Sequence, residues 1–123
     1  PARGGTITRI ETLDRAYLYA IEVNGGGAFD LCPADACQVP GNAITMTAVD
    51  LDPELREAAE TIARAAHLDV GGVEVMIDDR DGTPRFYDIN ALSNFVAKPL
   101  DVLGWDPHER LVDRLFEWIE ETR

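Results

Sequence analysis

GGVEVMIDDRDGTPRFYDIN, residues 71–90, decides the fold. Val73–Ile77 and Arg85–Ile89 are apolar, β-favouring runs joined by the polar turn DDRDGTP, a pattern that predicts an antiparallel hairpin. Glu74 interrupts the first run between Val73 and Val75, where a carboxylate is costly to bury without a partner. Asp88 and Asn90 stand at i and i+2 of the second run, so both side chains leave the same face of the sheet. Hairpin pairing then sets Glu74, near the start of one strand, against Asp88 and Asn90, near the end of the other. Two carboxylates and an amide oxygen suit a hard divalent cation. Magnesium in particular takes few protein ligands and completes its shell from water and phosphate. Two other arrangements compete. One is a solvated hairpin whose acids merely reflect an acidic chain. The other is a calcium loop with Gly82 at its sixth position, Asp79 and Asp81 at its third and fifth and Asp88 at its twelfth. The calcium loop fits badly, because Ile77 would take the first ligand position and no helices flank it.

Upstream, Thr6–Leu13 and Ala16–Val23 read as a second hairpin around the polar break Asp14–Arg15. NGGG at Asn24–Gly27 predicts a turn or loop, Phe29–Val39 is irregular, and Ala43–Val49 is a further strand candidate. A helix then begins with Asp52 as N-cap, Pro53 at the first helical position and Glu54 at the positive end of the dipole, and it ends at His67 and Asp69. Its expected buried face is Leu55, Ala58, Ala59, Ile62, Ala65 and Ala66. A second helix runs from about Asp106 to Thr122, with Asp106 as cap, Pro107 at its start and Glu109 nearly completing a capping box. Leu111, Val112, Leu115, Phe116 and Ile119 form an apolar stripe expected to lie in the core. These elements predict one α+β domain over residues 1–123, an antiparallel sheet with two main helices packed on it.

With 23 acidic against 11 basic residues among 123, the net charge of −12 argues against nucleic acid or an anionic membrane as partner. A nucleotide remains compatible, because a divalent cation can sit between phosphate and carboxylate. No apolar run approaches the length of a membrane helix, and PARGGTITR has no apolar leader core. That start also lacks Met, and the expectation is a processed or shortened end. Cys32 and Cys37 are expected to be reduced thiols of a cytoplasmic protein, with a local disulfide as the alternative.

The Glu74 … Asp88–Ile89–Asn90 pattern resembles the metal-binding end of ATP-grasp ligases, the superfamily of D-alanine–D-alanine ligases, glutathione synthetases and ribosomal-protein glutamate ligases. TRIETLDRAYLYAIEV, residues 8–23, is similar to the family's central strands. The resemblance implies that the chain is the C-terminal part of an ATP-grasp fold. Glu74, Asp88 and Asn90 then hold Mg2+ (or Mn2+) against the phosphates of ATP. It also implies that Arg9 and Asn90 contact the nucleotide and that Ser93 and Asn94 orient the substrate. The competing readings are a surface ion pair for Arg9 and an ordinary turn for Ser93–Asn94. The implied reaction is ligation of a carboxylate substrate to an amine or thiol through an acyl phosphate, and the alternative is a non-catalytic binding or assembly module. Three departures stand out. Gly72 occupies a position where many relatives carry arginine, Asp30 one where many carry asparagine, and ALSNF lacks the Ser-Pro-Gly run of the peptide ligases. Because the family's nucleotide-gripping lysines lie mostly upstream of the matched region, the chain alone is expected neither to hydrolyse ATP nor to ligate. A homodimer through the first hairpin is expected as well, with Ile7, Ile10, Tyr17, Tyr19, Phe95 and Val96 as exposed apolar surface.

Overall fold

The structure, a computed structural model, describes residues 2–25 and 44–123. Asp30, Cys32, Cys37 and the irregular stretch around them lie outside the described residues, as does part of the NGGG loop. Strands β1 (Ala2–Leu13) and β2 (Ala16–Asn24) form the first expected hairpin. Its turn residues Asp14 and Arg15 have φ of 52° and 66°, the positive values that a two-residue type I′ turn requires. β3 (Thr45–Ala48) follows, then α1 (Pro53–Ala65), and β4 (Val70–Asp78) pairs with β5 (Pro84–Asn90) as the second hairpin. A short α2 (Pro99–Val102), which the sequence pattern did not signal, precedes α3 (Pro107–Glu121).

The sheet is antiparallel throughout, in the order β3-β2-β1-β4-β5. Alternation along the strands sends Ile10, Ala20, Val73 and Val75 to one face, where they pack with Leu51 and with Ala59 of α1. Ala59 and Ala63 are fully buried, and small side chains at these positions let the helix approach the sheet closely. Ala65 and Ala66, expected on that buried face, are exposed because the helix ends there. Asp52 precedes α1 without a side-chain capping bond, so the start rests on Pro53 and Glu54. Asp106 does cap α3, accepting from the His108 backbone N–H at 2.9 Å.

Two expectations about buried and exposed surface reverse. Val112, Leu115, Phe116 and Ile119 of α3 are 44–64% exposed, and of the stripe Leu111 alone joins the cluster around Tyr19 and Phe95. Periodicity establishes that a helix has an apolar face, not that anything in the same chain covers it. Conversely Ile10, Tyr19, Phe95 and Val96 are buried, and Ile7 and Tyr17 are half-buried. The first hairpin forms the middle of the sheet, with β3 and β5 as its edges, and β3 pairs with Ile21–Asn24 of β2. Among the described residues no helix is long and apolar enough to cross a membrane.

The β4–β5 turn is fastened by two acids, the exposed Asp81, which accepts from the Thr83 backbone N–H and from Arg85, and the buried Asp78. Asp78 is 2% exposed and accepts from Arg80 at 2.6 Å and Arg85 at 2.9 Å, and from the Arg80 backbone N–H. The Arg80 side chain, more than any other group, holds the Asp78 carboxyl far below its usual 3.8. A depressed carboxyl stabilises the fold above its unfolded pKa and loses that contribution as pH falls. Asp78→Asn is therefore expected to lower the denaturation midpoint at pH 7. The difference from the unaltered chain should shrink as pH drops below 3.8, as urea titrations at pH 7, 4 and 2.5 would read.

Candidate metal and phosphate site

Two adjacent rows of paired residues cross the face of the sheet opposite α1. In the first, Ile21 of β2 pairs with Arg9 of β1, Arg9 with Glu74 of β4, and Glu74 with Asp88 of β5. In the second, Tyr19 pairs with Glu11, Glu11 with Gly72, and Gly72 with Asn90. Directly paired residues on antiparallel strands share a face, with Cβ atoms roughly 4.5–5.5 Å apart. Glu74, Asp88 and Asn90 thus stand together as the hairpin pattern predicted, and Arg9 joins them from the neighbouring strand. Asn90 Nδ2 donates to Asp88 Oδ2 at 3.4 Å.

A bulge shapes this corner. The β4–β5 register shifts between Glu74 and Val75, so that Glu74 opposes Asp88 while Val75 opposes Phe86, and Tyr87 is the extra residue. Strict alternation would turn Tyr87 to the α1 face. Instead its hydroxyl donates to Glu74 Oε2 at 2.8 Å. Burial, then the hydrogen bond to the Glu74 carboxylate, pushes the Tyr87 phenol above its usual range, so it acts as a donor that fixes Glu74. Sequence reasoning missed Tyr87, because no spacing rule marks a bulge without a glycine.

Arg9 is held from two sides. It is ion-paired, with Nε 2.6 Å from Glu11 Oε1, and it is also part of the site, with Nη2 donating to Ser93 Oγ at 3.2 Å. Glu11 was also missed, although an acid between Ile10 and Thr12 in an apolar strand is the same signal that Glu74 gave. It is fully buried, and its Oε2 has no hydrogen-bond partner among the described residues. Burial pushes its carboxyl up, and Arg9 and the nearby Ser93 offset that only in part. Gly72 makes room for it: a Cβ there would lie 2.9 Å from Glu11 Oε2.

Ser93 is buried against Arg9, whereas Asn94 is exposed and helps line a cavity of about 20 Å³ with Arg9, Ile21 and Phe95. The segment following Asn90 lies over this face, where the Val96 backbone N–H donates to the Tyr19 hydroxyl at 2.9 Å and Phe95 meets the Tyr19 ring edge-on. Among the described residues no three His, Cys, Asp or Glu side chains converge. The donor set is two carboxylates and an amide, which fits magnesium with its retained waters better than an all-protein cage.

The five-stranded antiparallel sheet with helices packed on it matches part of the fold of solved ATP-grasp ligases. The chain superposes on the ATP-grasp ligase PsnB complexed with minimal precursor, with a TM-score of 0.73 at 17% identity, covering 100% of this chain and 37% of that one. PsnB complexed with a phosphomimetic variant of the precursor, Mg and ADP gives 0.71 at 18% identity, covering 92% and 33%. The macrocyclase MdnC from Microcystis aeruginosa MRC, bound with precursor peptide MdnA, gives 0.51 at 12% identity, covering 75% and 27%. The likeness is one of fold, and the chain spans about a third of the length of the PsnB chains. No family model and no curated protein sequence matches the chain.

Proposed function

We propose that the chain supplies the metal-binding wall of the ATP cleft in an ATP- and magnesium-dependent ligase that joins a carboxylate to an amine or thiol. The observation that carries this is the pairing of Glu74 with Asp88, with Asn90 two residues on and Arg9 in the same row, on a sheet with this fold. Support for the cofactors comes from PsnB, which has been solved with Mg and ADP. Glu74, Asp88 and Asn90 would hold the cation, with Tyr87 fixing one oxygen of Glu74. Bound there, magnesium neutralises charge on the phosphoryl group being transferred to the carboxylate substrate. Arg9 would direct its remaining N–H groups at a phosphate or acyl-phosphate oxygen, and Asn94 lies at the rim where an acceptor would enter. Their contribution is positioning and charge neutralisation, because an acyl phosphate forms and collapses without a covalent protein intermediate.

Manganese tests the site without requiring turnover. Substoichiometric Mn2+ added to the 15N-labelled chain should broaden the amide signals of Glu74, Asp88 and Asn90 first, and competing Mg2+ should restore them. Broadening centred on the Asp79–Asp81 turn, or spread evenly over the acidic surface, would refute the assignment.

A further inference from the structure

We propose that Glu11 makes polyphosphate binding dependent on the divalent ion, by cancelling the charge of Arg9, the cation in the same row as Glu74 and Asp88. This rests on the metal reading above and adds a residue that the motif does not contain. Glu11 lies in the centre of the sheet with its side chain 1% exposed, one oxygen on Arg9 Nε and the other without a hydrogen-bond partner among the described residues, though Ser93 lies near the carboxyl. A buried carboxylate satisfied at one oxygen is a poor stabilising element, because the uncompensated oxygen has given up its water. A glutamine would fill the same volume without the charge. The space is also reserved, since any side chain at Gly72 would meet the carboxylate at its Cβ.

The charges in the two rows give this arrangement a consequence. Arg9 and Glu11 cancel, and Glu74 and Asp88 leave the face with two negative charges. A polyphosphate approaching this face without metal is repelled, although an arginine is present. A divalent ion on Glu74 and Asp88 removes the repulsion, and the Arg9 N–H groups not taken by Glu11 or Ser93 then act as directional donors rather than as a free cation. Glu11 would thus exclude metal-free nucleotide, which cannot react, from a site that a bare arginine would let it occupy.

Calorimetric titration of the chain with pyrophosphate and with ADP, in EDTA and then in excess Mg2+, tests this. Glu11→Gln should bind metal-free pyrophosphate roughly tenfold more tightly than the unaltered chain, the size expected for releasing one partly screened charge at contact range. The gain should disappear when Arg9→Gln is added, and the ratio of Mg2+-bound to metal-free affinity should fall by about the same factor. A purely structural Glu11 would give equal losses in both conditions. If Glu11→Gln fails to fold, Glu11→Met offers a similar volume without charge and serves the same comparison. Metal-free affinity unchanged or weakened beside normal Mn2+ broadening at Asp88, or a gain that survives Arg9→Gln, overturns the role of Glu11 alone. Absence of Mn2+ broadening at Asp88 in the unaltered chain overturns the metal reading and this inference with it.

Discussion

Asp88→Ala should weaken Mn2+ and Mg2+ binding at the β4–β5 corner by more than about 100-fold, beyond the loss usual for a residue that only supports a ligand. Asp88 is placed to do this by its direct pairing with Glu74 and by Asn90, which reaches its carboxylate from the same face. Removing it halves the carboxylate charge available to the ion and leaves Glu74 with a tyrosine on one oxygen. The substitution should cost little stability, because Asp88 is exposed and lies on an edge strand. Tyr87→Phe makes the contrast. It frees Glu74 to turn, and a second-layer loss of roughly 10–100-fold is expected from it. Equal Mn2+ affinity for Asp88→Ala and the unaltered chain, measured by electron paramagnetic resonance, would place the ion elsewhere.

Ile10→Ala should lower stability by about 2–5 kcal/mol, the range for truncating a large aliphatic side chain in a core. For a domain of this size that corresponds to a fall in melting temperature of roughly 8–20 °C. Ile10 is 0% exposed in the central strand, paired with Ala20 on one side and Val73 on the other and clustered with Ala59 of α1. The small neighbours Ala20 and Ala59 cannot close the cavity that its loss leaves. The same truncation on α3 is the comparison: Val112→Ala, at a side chain 48% exposed, should change stability by less than about 0.5 kcal/mol. Calorimetric scans of the two variants check both. A penalty at Val112 as large as that at Ile10 would mean that the α3 stripe is covered after all.

Ile10 also links the core to the site, since it lies between Arg9 and Glu11 in the chain. Alternation along β1 puts the apolar anchor on one face and the ion pair on the other. Loss of the anchor should therefore loosen the Arg9–Glu11 pair as well as the core.

Much of this could be read from local sequence. Both hairpins, the start of each long helix and the grouping of Glu74, Asp88 and Asn90 depend on turn residues, strand periodicity and capping, which act over a few residues. Asp14–Arg15 reverses the chain because two adjacent residues adopt positive φ, and DDRDGTP closes the second hairpin through the side chain of Asp78. The departure at Gly72 was visible too, though its physical reason was not. The glycine leaves room for a carboxylate that comes from a strand some sixty residues earlier in the chain.

Tertiary structure alone decided three things. Strand order put the first hairpin in the centre of the sheet, burying Tyr19 and Ile10, which were expected as exposed apolar surface. The register of β1 on β4 brought Arg9 beside Glu74 and Glu11 over Gly72. The bulge in β5 turned Tyr87 toward Glu74, against the alternation that its position implies. Each depends on which strands become neighbours and on their offset, a free energy summed over the whole core. Periodicity marks which side of a strand or helix is apolar, but the partner that meets it is chosen only when every face competes for the same interior, and of the apolar stripe of α3 Leu111 alone found one among the described residues.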